Sequence, residues 1–167
     1  ADMTPGSLSR VFLVSGGSEA NETALKIARA YHRRRGEPGR YKVISRRGSY
    51  HGVTGGVVWL GQSPYSIRTD FEPMYPGMVY APHPNHYHCE MGGKTPSECA
   101  VLCAQAVEDL IQFHGPETVA AFIGEPVAVA GGTAIPGDEY WPMIRQICDR
   151  YGVVLIADEV INGFGRT

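Results

Sequence analysis

The sequence predicts an α/β fold, a mostly parallel sheet with helices on both faces. Short apolar runs alternate along the chain with longer segments that have helical periodicity. These runs are apolar throughout, as is typical of strands that are buried on both faces of a parallel sheet. The chain has 167 residues, of which 43% are hydrophobic, so it is large enough for about one folded domain.

Four apolar runs predict buried strands. They lie at residues 11–14, 41–44, 120–123 and 153–157. The first run ends in Ser15-Gly16-Gly17-Ser18, the third in Gly124-Glu125-Pro126, and the fourth in Asp158-Glu159. Glycine and polar residues directly after an apolar run indicate that the strand ends there.

Three helices are predicted, at residues 19–35, 96–114 and 139–151. In the first, Ala24, Ile27, Ala28 and Tyr31 recur at the spacing of one helical face. The second begins with a capping box, Thr95-Pro96-Ser97-Glu98. Residues 61–94 show no periodicity and predict a long loop, which is typical of a functional segment or an interface.

Composition and charge exclude several classes of protein. A net charge of -2 and a pI of about 6.3 give no electrostatic reason to expect nucleic-acid binding. No apolar run approaches the roughly 18 residues of a membrane span, and the N-terminus does not resemble a signal peptide. Four cysteines are too few and too unpatterned for a disulfide scaffold, so we expect a cytoplasmic protein with reduced thiols.

Notable polar groups follow the predicted strands, where ligands bind in such sheets. Gly16-Gly17-Ser18 opens a helix, whose free N–H groups and dipole favour a phosphate, although the segment also fits a plain turn. Asp158 follows an apolar strand, where a carboxylate needs a cation or several donors unless it caps a helix or forms an Asx turn.

Two further segments have both a structural and a functional interpretation. Glu125 fits a simple turn residue before Pro126, and Tyr50-His51-Gly52 fits a packed surface loop. Taken together, the four features favour a ligand that has a phosphate, a flat ring and a cationic ring atom. Pyridoxal 5'-phosphate (PLP) has that set of groups.

With these segments in view, the sequence resembles the class III (ω-type) aminotransferases, PLP enzymes of fold type I, over nearly its whole length. Residues 11–24 resemble the family's phosphate turn and the helix after it. Tyr50-His51-Gly52 resembles its ring-stacking motif, and Gly124-Glu125-Pro126 the segment that contains its gating glutamate. Residues 155–167 match the family signature almost residue for residue.

The resemblance implies a role for each residue around the cofactor. Gly17 and Ser18, helped by Gly16, would hold the phosphate, and Tyr50 would stack on the pyridine ring. Asp158 would keep the ring nitrogen protonated, so that the ring can withdraw electrons.

Three more residues acquire roles by the same resemblance. His51 would lie beside Asp158, and Val160 would pack under the ring. The residue that matches Glu125 pairs, in relatives, with an arginine near the C-terminus and swings aside when an α-carboxylate binds.

The sequence departs from the family pattern at two places. Gly16 stands where relatives often have Ser or Asn, which removes a possible hydroxyl contact to the phosphate. Val127-Ala128 follows Glu125-Pro126 where many relatives have Gln-Gly, which removes the Gln side chain that contacts the ring in those relatives.

The resemblance also implies that residues 1–167 form the central part of the PLP-binding large domain. The start at Ala1 suggests a fragment or a trimmed chain. On this hypothesis an N-terminal segment, the Schiff-base lysine and a C-terminal small domain lie outside the sequence. Lys26, Lys42 and Lys94 are interpreted as surface residues, so the fragment alone is expected to be inactive.

The implied function is transfer of an amino group from an amine or amino acid to a keto acid, by a homodimer. A relative of glutamate-1-semialdehyde aminomutase, a decarboxylating relative, and a non-catalytic PLP-fold fragment remain alternatives. Glu125-Pro126-Val127 and Tyr50 favour the ω-aminotransferases. His83, His86, His88 and Cys89 lack the second ligand pair of a zinc site, so no metal is expected there.

Overall fold

The computed structural model describes residues 4, 6–62 and 68–166. The strands are β1 (Lys42–Arg46), β2 (Met78–Ala81), β3 (Val119–Gly124) and β4 (Val154–Ala157). The α-helices are α1 (Gly17–Arg34), α2 (Pro96–His114) and α3 (Tyr140–Tyr151). Short 3-10 helices lie at Thr69–Phe71, His86–His88 and Pro116–Thr118.

The four strands form one sheet in the order β2-β1-β3-β4, and every neighbouring pair is parallel. Ile44 pairs with Val79 on one side and with Phe122 on the other, and Phe122 pairs with Leu155. Parallel pairing places the carboxyl ends of all four strands at one edge of the sheet. The predicted fold class is therefore confirmed.

Helices cover both faces of this sheet. Ile44 and Phe122 point into a core that they share with the buried faces of α2 and α3. Their chain neighbours Val43 and Ala121 point the opposite way, toward Leu25 of α1 and the buried segment 57–60. Because successive side chains of a strand alternate between faces, one sheet supplies both cores.

The prediction of a strand at residues 11–14 is wrong. These residues form no strand, and Phe12 and Leu13 are exposed by 70% and 88%. Within the described chain β2 and β4 are the edges of the sheet, and neither pairs with this segment. An apolar run becomes a strand only where a neighbouring strand satisfies its backbone groups.

The loop predicted at residues 61–94 contains a strand, β2, that the sequence analysis missed. With four residues between Gly77 and Pro82, β2 is too short to show a periodicity. Residues 63–67 of this segment lie outside the described chain. The strand predicted at 153–157 is found as β4, but it is partly exposed because it pairs with β3 alone.

The buried face of α1 also differs from the prediction. Its buried residues are Asn21, Leu25, Ala28 and His32, whereas Ile27 and Tyr31 are exposed by 57% and 46%. Ala28 is common to both sets, so the face that packs on the sheet is rotated from the predicted one. Two polar residues, Asn21 and His32, lie on it because both form buried hydrogen bonds.

The ends of α2 and α3 are as predicted. The Thr95 hydroxyl accepts a hydrogen bond from Glu98 N–H at 3.1 Å, while the Glu98 carboxylate accepts one from Lys94 N–H at 2.8 Å. Gly152 ends α3 with a left-handed backbone, φ 66°. In the part of the chain that the structure describes, no helix has the length and hydropathy needed to cross a membrane.

Candidate active site at the carboxyl ends of the strands

The polar residues that follow β1, β3 and β4 meet in one cavity. It has a volume of about 360 Å³ and lies beside the first turn of α1. Its lining includes seven of the residues that the sequence analysis singled out, namely Gly17, Ser18, Tyr50, His51, Glu125, Asp158 and Val160. Gly16 precedes α1 as its N-cap residue and does not itself line the cavity.

Asp158 is 6% exposed and is held by three donors. His51 Nδ1 lies 2.7 Å from Asp158 Oδ2, and Asn21 Nδ2 donates to the same oxygen at 2.8 Å. The backbone N–H of Val160 donates to Oδ1 at 3.2 Å. Since an ionised carboxylate can only accept, Nδ1 of His51 carries a proton.

These contacts keep Asp158 ionised although it is buried. Burial by itself raises the pKa of the carboxyl group. The hydrogen bond and charge of His51, with the donors from Asn21 and Val160, outweigh burial and bring the pKa below its ordinary value of 3.8. The site therefore presents a desolvated anion at neutral pH.

Glu125 is a second buried carboxylate, 7% exposed, at the end of β3. Arg46 Nη2 donates to its Oε2 at 2.9 Å, and Tyr50 N–H donates to its Oε1 at 3.0 Å. Burial raises the pKa of Glu125. The charges of His51 and Arg46 and the hydrogen bond from Tyr50 N–H lower it by more than burial raises it, so the net shift is downward. Arg46 is itself fully buried.

His51 lies between the two carboxylates. Its Nδ1 donates to Asp158, and its Nε2 lies 3.8 Å from Glu125 Oε2, too far for a hydrogen bond. Nε2 is buried and has no hydrogen-bond partner among the described residues. The imidazole thus spaces the carboxylates and orients Asp158 toward the cavity.

The N-terminus of α1 closes the other side of the cavity. Gly16 caps the helix in an extended conformation, and no side chain accepts from the first N–H groups. Gly17 packs against Val160, since a Cβ at position 17 would lie 2.9 Å from Val160 Cγ2. Free N–H groups and the helix dipole make this end a binding site for an anion.

Glycines bring the Tyr50-His51 loop close to α1. Gly52 has φ +122°, and a Cβ on it would lie 2.5 Å from Ser18 Oγ. The Ser18 hydroxyl accepts from Val53 N–H at 3.2 Å. Glu22 Oε1 accepts from Gly56 N–H at 2.7 Å, which fixes the far end of the same loop.

Comparison with known proteins agrees with this geometry. The family model "Aminotransferase class-III" matches residues 1–167. This chain belongs to the class-III aminotransferases. The family resemblance that the sequence analysis identified is confirmed.

Relatives of this class-III chain include aminotransferases, some of which have solved structures. The putrescine–pyruvate aminotransferase of Pseudomonas aeruginosa is 43% identical over 168 residues, which cover all of this chain and 36% of the relative. The Pseudomonas jessenii omega transaminase in complex with PMP is 40% identical with a TM-score of 0.92, over 99% of this chain and 36% of that one.

A third relative has its cofactor bound. A PLP-bound amine transaminase from an uncultivated Pseudomonas species is 41% identical with a TM-score of 0.87, over 92% of this chain and 34% of that one. The class-III chain thus spans about a third of the length of these relatives.

Three residues of the class-III site had no role in the sequence analysis. Asn21 and Glu22 lie in the helix that was compared with the family, and Arg46 ends β1, but none was singled out. Each is a polar residue whose partner lies far away in sequence. A polar residue on the buried face of α1 was the one available signal, and it was hidden because the face was assigned incorrectly.

Replacement of Asn21 by Leu should weaken the fold of the class-III chain in a pH-dependent way. The lost bond to a charged acceptor is worth about 1.5–3 kcal/mol. Because the pKa of Asp158 is lowered on folding, its stabilisation is complete above its ordinary 3.8 and is lost as the pH falls through the lower folded value. Chemical unfolding from neutral to acidic pH measures the difference in the free energy of unfolding between the variant and the unmodified chain. This difference should become smaller in acid.

Asn85→Leu is the matched control for this experiment. Asn85 accepts a hydrogen bond from Tyr87 N–H at 3.2 Å, and no contact to a carboxylate is recorded for it among the described residues. The decrease in the free energy of unfolding caused by Asn85→Leu should not depend on pH in the acid range. If Asn21→Leu behaved in the same way, Asn21 would act through packing and not through Asp158.

Replacement of Gly52 by Ala should destabilise the loop that presents Tyr50 and His51. The added methyl group meets Ser18 in a backbone conformation that disfavours any side chain, so we expect a loss of more than about 1 kcal/mol. Gly36→Ala is the control, because Gly36 has φ +83° but open space around it. Thermal unfolding that showed equal losses would contradict a role for the Ser18 contact.

Proposed function

We propose that the whole protein is a PLP-dependent aminotransferase that transfers an amino group from an amine or amino acid to a keto acid. The proposal covers the whole protein because this chain spans about a third of its relatives' length, 36% in the case of the Pseudomonas aeruginosa enzyme. The observation that supports it most strongly is Asp158, a buried and ionised carboxylate that faces the cavity.

The donor set around Asp158 fits a protonated pyridine nitrogen. An ionised carboxylate offers about four acceptor positions. His51, Asn21 and the Val160 N–H occupy three of them, two on Oδ2 and one on Oδ1. A fourth donor, with a positive charge, would complete the set from the cavity side.

The opposite end of the cavity fits a phosphate. The first turn of α1 has no side-chain cap, and Gly16 and Gly17 let a ligand approach the backbone. Ser18 adds a hydroxyl beside these N–H groups. On this proposal Gly16, Gly17 and Ser18 bind the phosphate while Asp158 binds the ring nitrogen.

Two half-exposed side chains fit the two faces of a flat ring. Tyr50 and Val160 line the cavity and are 43% and 62% exposed. Tyr50 would stack on one face, and Val160 would pack against the other. An aromatic and an aliphatic side chain that remain exposed beside a cavity are ready to be covered by an aromatic ligand.

When bound, PLP supplies an aldehyde and an electron-withdrawing ring. The residues of this chain hold and polarise that ring. Asp158 keeps the ring nitrogen protonated, His51 and Asn21 keep Asp158 ionised, and Glu125 shapes the cavity beside Tyr50. Arg46 holds Glu125 in place in this structure, at 2.9 Å.

The domain organisation, the compartment and the oligomeric state of the whole protein are part of the proposal. Residues 1–167 would form the central part of the PLP-binding domain, and the catalytic lysine would come from another part of the whole protein. We propose a cytoplasmic homodimer with residues 61–94 near the interface. That segment carries exposed aromatic side chains, among them Tyr75 and Tyr87 at 53% and 80%.

Asp158→Asn in the whole protein should retain PLP and lose turnover. The phosphate end of the site is unchanged, but a neutral amide cannot hold the positive charge of the ring nitrogen. The loss of a charge-assisted bond, about 1.5–3 kcal/mol, corresponds to a decrease in kcat of roughly 10- to 100-fold. The measurements are cofactor content by absorbance and steady-state turnover with an amine and pyruvate.

Asp149→Asn is the matched control, because Asp149 is exposed and pairs with Arg145 at 2.6 Å on the surface of α3. Its turnover should equal that of the unmodified protein. Near-normal turnover of Asp158→Asn would contradict the proposed role.

Residues 1–167 alone should not transaminate. The reaction requires a covalent bond between an enzyme lysine and the cofactor aldehyde. The three lysines all belong to the described chain, and none of them lines the cavity. Lys26 and Lys94 are exposed, and Lys42 donates to the carbonyl of His114 at 3.0 Å, at the amino end of β1.

Borohydride reduction in the presence of PLP, followed by peptide mass spectrometry, tests this prediction. We expect scattered, substoichiometric labelling. Stoichiometric labelling of one lysine together with measurable amino transfer would contradict it.

A further inference from the structure

Three of the four cysteines meet at the start of α2, away from the cavity. Cys89 follows the 3-10 helix His86–His88, and Cys99 and Cys103 lie one turn apart on α2. Their Sγ atoms all lie within 4.8 Å of one another, and those of Cys99 and Cys103 are 3.9 Å apart. No other group of three metal-ligating side chains is found among the described residues.

The loop that carries Cys89 packs closely against the start of α2. Gly93 lies against the first turn of α2, where a Cβ would come within 2.6 Å of Cys99 N. Gly92 N–H donates to the Cys89 carbonyl at 3.0 Å and closes the turn that follows Cys89. The hydrogen bond between Thr95 and Glu98 N–H fixes the helix start. These contacts hold Cys89 over the two helical cysteines.

We propose that Cys89, Cys99 and Cys103 form a binding site for one thiophilic metal ion, of the zinc or copper(I) class. Thiolate sulfur is the ligand that such ions prefer. With zinc–sulfur bonds of about 2.3 Å, tetrahedral geometry sets two sulfurs roughly 3.8 Å apart. The spacing of 3.9 Å between Cys99 and Cys103 meets this requirement without movement of α2.

Burial opposes thiolate charge at this cluster, because it raises the pKa of the Cys99 and Cys103 thiols, so the metal ion itself has to displace their protons. Binding of a divalent ion replaces three thiol protons with three metal–sulfur bonds, releases three protons, and leaves one net negative charge. Cys99 is the fourth residue of α2, so the positive end of the helix dipole lies beside the cluster.

The three cysteines differ in burial, which indicates the side from which a metal ion would enter the cluster. Cys99 and Cys103 are 1% and 0% exposed, whereas Cys89 is half-buried. A metal ion would enter beside Cys89, and its fourth position would be open to water. This proposal departs from our expectation of no metal near residues 83–89, because the two deciding ligands come from α2.

The competing interpretation is that the three cysteines are simply small apolar side chains. Metal-free, fully reduced protein should distinguish the two. We expect one equivalent of Cd²⁺ to give a thiolate-to-metal charge-transfer band in the ultraviolet. Competition with a chromophoric chelator should show one tight Zn²⁺ site, and Zn²⁺ should raise the melting temperature.

Cys89→Ser and Cys103→Ser should weaken Zn²⁺ binding by about 100-fold or more, because loss of outer-shell partners alone costs about 10- to 100-fold. Cys148→Ser is the matched control, since Cys148 is buried and unpaired but lies outside the cluster. It should bind Zn²⁺ as the unmodified protein does. Cys89 is the half-buried member, so its variant keeps the test valid if Cys103→Ser fails to fold.

Two results would overturn the proposal. One is fully reduced protein that takes up no Zn²⁺ or Cd²⁺. The other is uptake that Cys89→Ser and Cys148→Ser leave equally unchanged, which would assign the bound ion to a different site.

Discussion

The hydrogen-bonded group of Asp158, His51 and Asn21 is the interaction on which the rest of the site depends. It joins the end of β4, the loop after β1 and the first turns of α1, which are far apart in sequence. A buried carboxylate is costly unless donors surround it. The requirement to satisfy Asp158 therefore fixes where the three segments meet, and with them the cavity between them.

The two buried carboxylates make this cavity suited to a cation. Asp158 and Glu125 are both buried with lowered pKa values, and one guanidinium, that of Arg46, pairs with Glu125. His51 stands between them. Arg46 thus offsets the charge of Glu125, while the charge of Asp158 is met by the hydrogen bonds from His51, Asn21 and Val160. A protonated ring nitrogen would be a suitable cation for Asp158.

The sequence predicted those parts of the molecule that depend on local pattern. The parallel sheet and its two helical layers followed from apolar runs, and the polar residues after β3 and β4 indicated the edge at which the cavity lies. Features that depend on distant partners were not predictable. Residues 11–14 have the composition of a strand without a neighbour to pair with, and β2 is defined by its pairing with β1.

The same limit applies to single residues. Arg46 looks like the end of a strand until its pairing with Glu125, 79 positions away, is known. The cysteine cluster is hidden in the same way, because Cys89 and the two cysteines of α2 are brought together by the turn between Cys89 and Gly92. Burial of a polar or sulfur side chain is a property of the folded chain, and it is burial that gives these residues their chemistry.

The protonation state of the cofactor ring tests the central claim most directly. Nitrogen-15 NMR of the whole protein, loaded with PLP labelled at the ring nitrogen, measures it. We expect a protonated nitrogen at and above neutral pH, with direct coupling to a proton that exchanges slowly. An unprotonated ring nitrogen at neutral pH in the unmodified protein would contradict the account.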